Sequence, residues 1–254
     1  MAETIHWFDT VDSTNTRLMA DRDGLPDRTV YAALFQTAGR GQKGNRWYSH
    51  PGENLTFSIL LKPAALPAAE QFILSQIVAL GLVDYLNDMG LQATIKWPND
   101  IYAGDRKICG TLIEPVLTDG RVSAAVAGIG LNVNQSEFDP SLPNPTSLRC
   151  ETGGEYNLRE ELPKLLEHIF GRYDKIGSPY ARNGYDAQYL EKLYRRGEWH
   201  EFEELPASDV PAEQRSGRRI RARILGIDPK ALLILEHADG TLLTYGSKEI
   251  KYLL

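Results

Sequence analysis

Cysteine is scarce in this sequence. Cys109 and Cys150 are the only two in 254 residues. They match no metal-ligand spacing and make no disulfide framework, so a reduced, cytoplasmic setting is expected. Positive charge is in deficit: 28 Lys and Arg stand against 34 Asp and Glu, a net charge of −6. A general nucleic-acid binder is normally basic, so that class is disfavoured. Long hydrophobic runs are missing too. No stretch approaches the roughly 18 unbroken apolar residues of a membrane span, and the longest apolar helix candidate is interrupted by Glu70, Gln71, Gln76 and Asp84. The N-terminus, Met1 to His6, has no basic segment leading into an apolar core, so no secretory signal is read there. Two nucleotide signatures are absent. No Gly-Lys-Ser/Thr closes a Walker A loop, and no Gly-x-Gly-x-x-Gly sits at a strand-to-helix turn.

Against that acidic background one segment stands out. Gly39-Arg40-Gly41-Gln42-Lys43-Gly44-Asn45-Arg46-Trp47 packs three glycines, three cations and an indole into nine positions. Its flanks, Ala32 to Gln36 and Asn54 to Leu61, read as strands. Glycines let backbone N–H groups come close to an anion. Arg and Lys neutralise carboxylate or phosphate, and an indole stacks on a base. The composition predicts a flap over a charged, base-bearing ligand, with a plain solvated hairpin as the alternative.

The remaining pattern predicts an α+β chain. Ile5 to Phe8 reads as a strand, and Asp12-Ser13-Thr14-Asn15 supplies cap chemistry for a helix through Leu18. Pro67 opens a long amphipathic helix ending near Gly90. Thr94 to Trp97, Ile101 and Tyr102, Lys107 to Leu117, and Val122 to Val133 follow as strands with tight turns, which predicts a central antiparallel or mixed sheet. Leu158 to Ile176 reads as helix, with Asn157 and Glu160 as a capping pair and Pro163 leaving its start open. Tyr180 to Arg196 reads as a last helix closed by Gly197. The predicted division is a catalytic domain over residues 1–197, an acidic, proline-containing linker over 198–217 with a possible strand near Trp199, and a small all-β barrel over 218–254.

Four further segments carry chemistry. Lys96-Trp97-Pro98-Asn99-Asp100 ends a strand with an amide and a carboxylate. Asp105-Arg106-Lys107-Ile108-Cys109-Gly110 puts a lysine just after a tight turn. Gly128-Ile129-Gly130-Leu131-Asn132-Val133-Asn134 is a strand whose glycines admit a ligand or another backbone. Ser13 and Thr14 offer hydroxyls at a helix start. These motifs, in this order, resemble a biotin protein ligase. The resemblance covers nearly the whole chain, barrel included. It implies a central mixed sheet with flanking helices, as in class II aminoacyl-tRNA synthetases, and an SH3-like C-terminal barrel. Bifunctional members carry an N-terminal winged helix that binds DNA. Only about a dozen residues precede Ser13, so the resemblance implies a ligase that does not bind DNA.

The family reaction has two steps. Biotin's carboxylate attacks the α-phosphate of ATP to give biotinyl-5′-adenylate. A lysine of a carboxylase's biotin carboxyl carrier domain then takes the biotinyl group. The resemblance implies biotin, ATP and Mg²⁺ as the ligands, with magnesium arriving on the nucleotide and no permanent metal site. It implies catalytic roles for Lys107 and Arg40. Biotin contacts fall to Ser13, Thr14, Asn15, Gln36, Gly39, Arg40, Gly41, Gln42, Lys107, Gly110 and Gly128. ATP contacts fall to Arg40, Gln42, Lys43, Asn45, Trp47, Asn99, Asp100, Lys107 and Asn132. Trp47 is expected to stack on adenine, Trp97 to sit in the core, and Cys109 to pack inward without a catalytic role. The loop departs from some members, which have arginine where this chain has Gln42 and Asn45. Those two bond a phosphate without neutralising it, and Lys43 and Arg46 lie beside them. Other readings are a lipoate–protein ligase, a non-catalytic biotin-binding regulator, or a single-strand nucleic-acid binder. No membrane or DNA partner is expected, and the chain is expected to be a monomer or a homodimer.

Overall fold

The computed structural model describes residues 4–178, 181–205 and 217–253, with the side chains of Lys43, Ala181 and Arg182 left out. A seven-stranded sheet organises the chain. Its strands are β1 (Ile5–Val11), β2 (Val30–Gln36), β3 (Leu55–Leu61), β4 (Ala93–Lys96), β5 (Asp100–Ala103), β6 (Arg106–Thr118) and β7 (Arg121–Leu131), in the order β1-β2-β3-β7-β6-β5-β4. β1 and β2 run parallel and every other pair is antiparallel, so the sheet is mixed, as expected.

The two faces of the sheet differ in chemistry. One face buries Leu55, Phe57 and Ile59 of β3 in the main core, against α2 (Phe72–Asp88). Helix α4 (Leu158–Tyr173) lies against α2. They approach closely at Gly81, where a Cβ would come within 2.8 Å of the Ile169 Cα. Helix α2 continues a segment, Ala68–Asp88, that is long and apolar enough to cross a membrane, and 67% of its most apolar stretch is buried inside the fold as a core helix. The opposite face carries α1 (Thr14–Asp21), whose Leu18 packs on Tyr31, Leu60 and Val126 in a smaller cluster.

Register explains why that second face is hollow. Thr56, Gly130 and Gly110 lie in one row across β3, β7 and β6. Ser58, Gly128 and Leu112 form the next row. Five of these six residues are glycine or small hydroxyl residues, so the sheet is thin-skinned beside the N-terminus of α1. The fold builds its cavity there.

Helix boundaries follow the caps. Ser13 is the N-cap of α1, its Oγ accepting from the Thr16 N–H. Asn157 caps α4 by accepting from the Arg159 N–H and donates to Glu160, so that helix starts at Leu158 and runs through Pro163. A short helix not expected from the sequence, α3 (Leu148–Thr152), is capped by Ser147 and closed by Gly153 at φ +76°. The final helix is shorter than the expected Tyr180–Arg196, of which Tyr180 lies outside the described residues. It is α5 (Ala181–Glu191). The chain leaves the helix there because Lys192 and Tyr194 exchange backbone hydrogen bonds with Ile95, adding to the edge of β4.

A five-stranded antiparallel sheet forms the C-terminal part, as the all-β expectation required. Its strands are β8 (Trp199–Glu204), β9 (Arg218–Ile227), β10 (Leu233–His237), β11 (Leu242–Tyr245) and β12 (Ile250–Tyr252), ordered β11-β10-β9-β8-β12. This corrects the linker expected over residues 198–217. Trp199–Glu204 pairs on both sides, with β9 and with β12, so it is an inner strand. Its alternation is masked in the sequence because Glu201, Glu203 and Glu204 face solvent or arginines while Phe202 alone is fully buried. The rest of the expected linker, residues 206–216, lies outside the described residues. The hydrophobic core runs without a break from the first sheet into the second.

Candidate functional site

A cavity of about 250 Å³ opens between the N-terminus of α1, the loop after β2, the glycine rows and the C-terminal sheet. Its wall brings together Ser13, Thr14, Asn15, Gln36, Arg40, Gly41, Gln42, Asn45, Trp47, Asn99, Asp100, Lys107, Gly110 and Gly128. Every one of these was marked from the sequence, although they come from six separate segments. The side chain of Lys43 lies outside the described residues.

At the α1 end the cavity is polar and uncharged. The Thr14 N–H donates to Gln36 Oε1 at 2.7 Å, and the Thr14 hydroxyl lies 2.8 Å from Ser58 Oγ. Ser58 in turn donates to Asn15 Oδ1 at 2.6 Å. Asn15 Nδ2 gives hydrogen bonds to the Leu112 carbonyl and to Glu114 Oε2. The amide of Asn15 is therefore spent inside the protein, and a Cβ at Gly128 would fall 2.2 Å from its Oδ1. Gly128, expected to let a ligand approach, makes room for Asn15.

Three cations line the wall, Arg40, Arg46 and Lys107. Lys107 Nζ lies 2.7 Å from Asp100 Oδ1. A β-bulge aims the lysine. Across β5–β6, Ile101 faces Cys109 and Tyr102 faces Lys107, so Ile108 is an extra residue. Without it, strict alternation would put Lys107 and Gly110 on opposite faces. With it, a Cβ on Gly110 would be 3.4 Å from Lys107 Nζ. The backbone of Lys107 is pinned by Asn144 and Thr146. Arg40 forms a forked pair with Glu114, at 3.0 and 2.7 Å. Burial drives the neighbouring Cys109 thiol far above its ordinary range, more than Lys107 offsets. It packs as a small apolar side chain, as expected.

The loop after β2 is a small hairpin. Arg40 bridges Arg46, the Gly41 N–H donates to the Asn45 carbonyl, and the Trp47 N–H donates to the Gly39 carbonyl. Gly44, at φ +87°, turns it. The Trp47 indole lies on the glycine row, where a Cβ at Gly130 would be 2.2 Å from its Cε2 and one at Gly110 3.1 Å from its Cζ3. Lys107 Nζ stands 5.8 Å from the ring centroid. Trp47 Nε1 is buried and has no hydrogen-bond partner, a donor left over at the cavity wall. The indole thus packs on the sheet rather than standing ready as a free stacking platform.

Two expected residues stay off the wall. Gly39 is a glycine because a Cβ there would meet the Trp47 carbonyl at 2.5 Å, so it serves loop closure. Asn132 is buried beyond the end of β7. Its Nδ2 donates to the Thr146 carbonyl and its N–H to the Ile108 carbonyl, tying down the strand that carries Lys107. Asn99 lines the cavity with its Nδ2 already given to the Thr111 carbonyl. Trp97 is buried as expected and donates from Nε1 to the Ala231 carbonyl in the C-terminal sheet. Sequence reasoning missed Gly130, Ser58, Glu114 and Ser247. Gly130 was visible as half of a Gly-x-Gly pair. Ser247, on the turn after β11, reaches the wall only through packing of the second sheet. Among the described residues no group of three or more His, Cys, Asp or Glu is arranged to hold a metal ion.

Residues 7–134, which include nearly all of this wall, match the model of the biotin/lipoate A/B protein ligase family. The chain belongs to that family. A biotin–[acetyl-CoA-carboxylase] ligase of Paracoccus denitrificans is 32% identical over 90% of this chain and 92% of its own length. The bifunctional ligase/repressor BirA of Bacillus subtilis is 28% identical over 94% of this chain and 71% of its own. A solved biotin protein ligase from Aquifex aeolicus, in complex with biotin and ATP, superposes with a TM-score of 0.79. It is 25% identical and covers 99% of this chain and 100% of that one.

Proposed function

We propose that this protein is an ATP-dependent biotin protein ligase that acts on the carboxyl carrier of a biotin-dependent carboxylase. The supporting relatives are named biotin–[acetyl-CoA-carboxylase] ligases, and the supporting fold neighbour holds biotin and ATP. One observation carries the reading. Lys107 and Arg40, two of the three cations on the cavity wall, are each held against a carboxylate, beside a neutral donor cluster at the start of α1. Such a site takes a ligand with an uncharged hydrogen-bonding head and an anionic tail.

In the first step an oxygen of the biotin carboxylate attacks the α-phosphorus, a P–O bond forms, and pyrophosphate leaves. Two anions must meet, and Lys107 and Arg40 offset their repulsion. Ser13, Thr14 and Gln36 hold the ureido ring. Lys107 exchanges Asp100 for the reacting oxygens. The oxygen donors of Asp100 and Asn99 suit magnesium carried on the nucleotide, which supplies further charge neutralisation. In the second step the neutral amine of the carrier lysine attacks the anhydride carbonyl. AMP leaves and the amine loses a proton. The hairpin from Gly39 to Trp47 keeps water from the anhydride.

Pyrophosphate exchange tests this. Exchange into ATP that requires biotin is the expected result. Exchange supported by lipoate alone would overturn the proposal.

A further inference from the structure

We propose that Glu114 is a positioning residue that docks the glycine loop through Arg40. This rests on the ligase reading and deepens it. Arg40 sits on a hairpin whose own backbone bonds close upon itself, so they do not fix the hairpin to the sheet. The forked Arg40–Glu114 pair does, because both terminal nitrogens of the guanidinium engage both carboxylate oxygens. A fork sets the plane of the guanidinium as well as its distance, which a single contact does not.

Glu114 is itself held from beneath. It lies on β6 opposite Val126, and its Oε2 also accepts from Asn15 Nδ2 at 3.0 Å. Asn15 is 3% exposed, and its Oδ1 is occupied by Ser58. Ser58 in turn meets the Thr14 hydroxyl, whose backbone N–H holds Gln36. An unbroken polar chain therefore runs from the neutral end of the cavity, through Thr14, Ser58, Asn15 and Glu114, to the cation at its mouth. The buried part of this chain, Thr14, Ser58 and Asn15, is rigid because each member is satisfied. Glu114 is its last member and the one that leaves the sheet for the loop.

The consequence is a loop whose position Glu114 sets, with the Arg40 guanidinium held at one place on the cavity wall. Loss of the fork frees the loop and leaves the cation in solvent for part of the time.

The test is a double-mutant cycle on pyrophosphate release with saturating biotin and Mg·ATP, using wild type, Glu114→Gln, Arg40→Ala and the double variant. Glu114→Gln is expected to slow release about tenfold in the wild-type background and less than about twofold in the Arg40→Ala background, since a residue acting through another adds nothing once that other is gone. Glu114→Asp keeps the charge with a shorter reach and is expected to fall between. Trypsin cleavage after Arg46, followed by mass spectrometry without substrates, is expected to be faster in Glu114→Gln. Release as fast as in wild type, faster release, or a full additional loss in the double variant would overturn the role of Glu114. A wild-type protein that releases no pyrophosphate with biotin would overturn the ligase reading instead, and the trypsin comparison would still decide whether Glu114 docks the loop.

Discussion

The ammonium of Lys107 and the carboxylate of Asp100 stand 2.7 Å apart across a bulged strand pair, on the wall of the cavity. The pair is partly exposed, with 33% and 18% of the side chains open to solvent, so its own contribution to folding is small, about 1 kcal/mol or less. Its value lies in exchange, because an incoming anion that takes the place of Asp100 keeps the Lys107 ammonium paired.

Lys107→Ala is accordingly expected to cost the adenylation step ~2–4 kcal/mol of transition-state stabilisation, as removal of one charged donor does. The melting temperature should change little. Biotin-dependent pyrophosphate release and a thermal scan on the same samples check both halves. Full activity would remove Lys107 from the reaction.

Gly130→Ala places a methyl group where Trp47 Cε2 now lies, 2.2 Å away. The half-buried indole belongs to the loop and to neither core cluster, so the expected effect falls on the loop and not on the core. The bound adenylate should dissociate faster, with stability held within about 1 kcal/mol, the ordinary range for a change outside the core. Chase of labelled adenylate from the enzyme measures it. A fall in melting temperature matching the loss of retention would show that the Trp47–Gly130 contact serves stability.

Gly128→Ala is the contrasting case, two residues away. Its methyl would meet Asn15 Oδ1 at 2.2 Å, and Asn15 is locked by three hydrogen bonds. Overpacking against an immovable group costs about 1–3 kcal/mol. Urea unfolding should show a lower midpoint at unchanged slope. A midpoint equal to wild type would mean that Asn15 is freer than its bonds indicate.

In the C-terminal sheet, His237 Nε2 lies 2.8 Å from the Tyr245 hydroxyl, which donates to Glu204 Oε1 at 2.5 Å. Burial pushes the Glu204 carboxyl up, but the bond from Tyr245 and the pairing with Arg218 outweigh it, leaving the group below its ordinary 4.5. A depressed carboxyl stabilises the fold above its unfolded value and loses that effect as pH falls through its folded value. Tyr245→Phe should cost about 1–3 kcal/mol at neutral pH, because it orphans a buried histidine nitrogen. The gap to wild type should narrow below about pH 4 as Glu204 protonates. Unfolding curves across that range check the sign, and a gap that widens in acid would contradict it.

Much of the site was legible in the sequence because its residues cluster in short segments of unusual composition. Arg40 and Gln42 announce themselves as charged or polar groups beside glycines, and Lys107 and Asp100 as charges beside tight turns. What stayed hidden depends on register. Gly110 and Gly130 meet only when β6 and β7 pair, and nothing local says that Trp47 will lie on them. Glu114 looked like any charge on a strand until Arg40 and Asn15 converged on it. Asn132 misled for the opposite reason, since a polar residue in a glycine motif reads as a ligand contact, and its amide is used by the Thr146 carbonyl. The strand expected near Trp199 is β8, but its extent was masked by an acidic segment whose glutamates pair with arginines of β9 and with Lys251.

The most direct measurement is the intact mass of a biotin carboxyl carrier domain after incubation with this protein, biotin and Mg·ATP. A carrier heavier by one biotinyl group, dependent on both small molecules and lost when the acceptor lysine is replaced by arginine, is the expected result. A carrier of unchanged mass, with the protein folded and both substrates present, would contradict the proposed reaction.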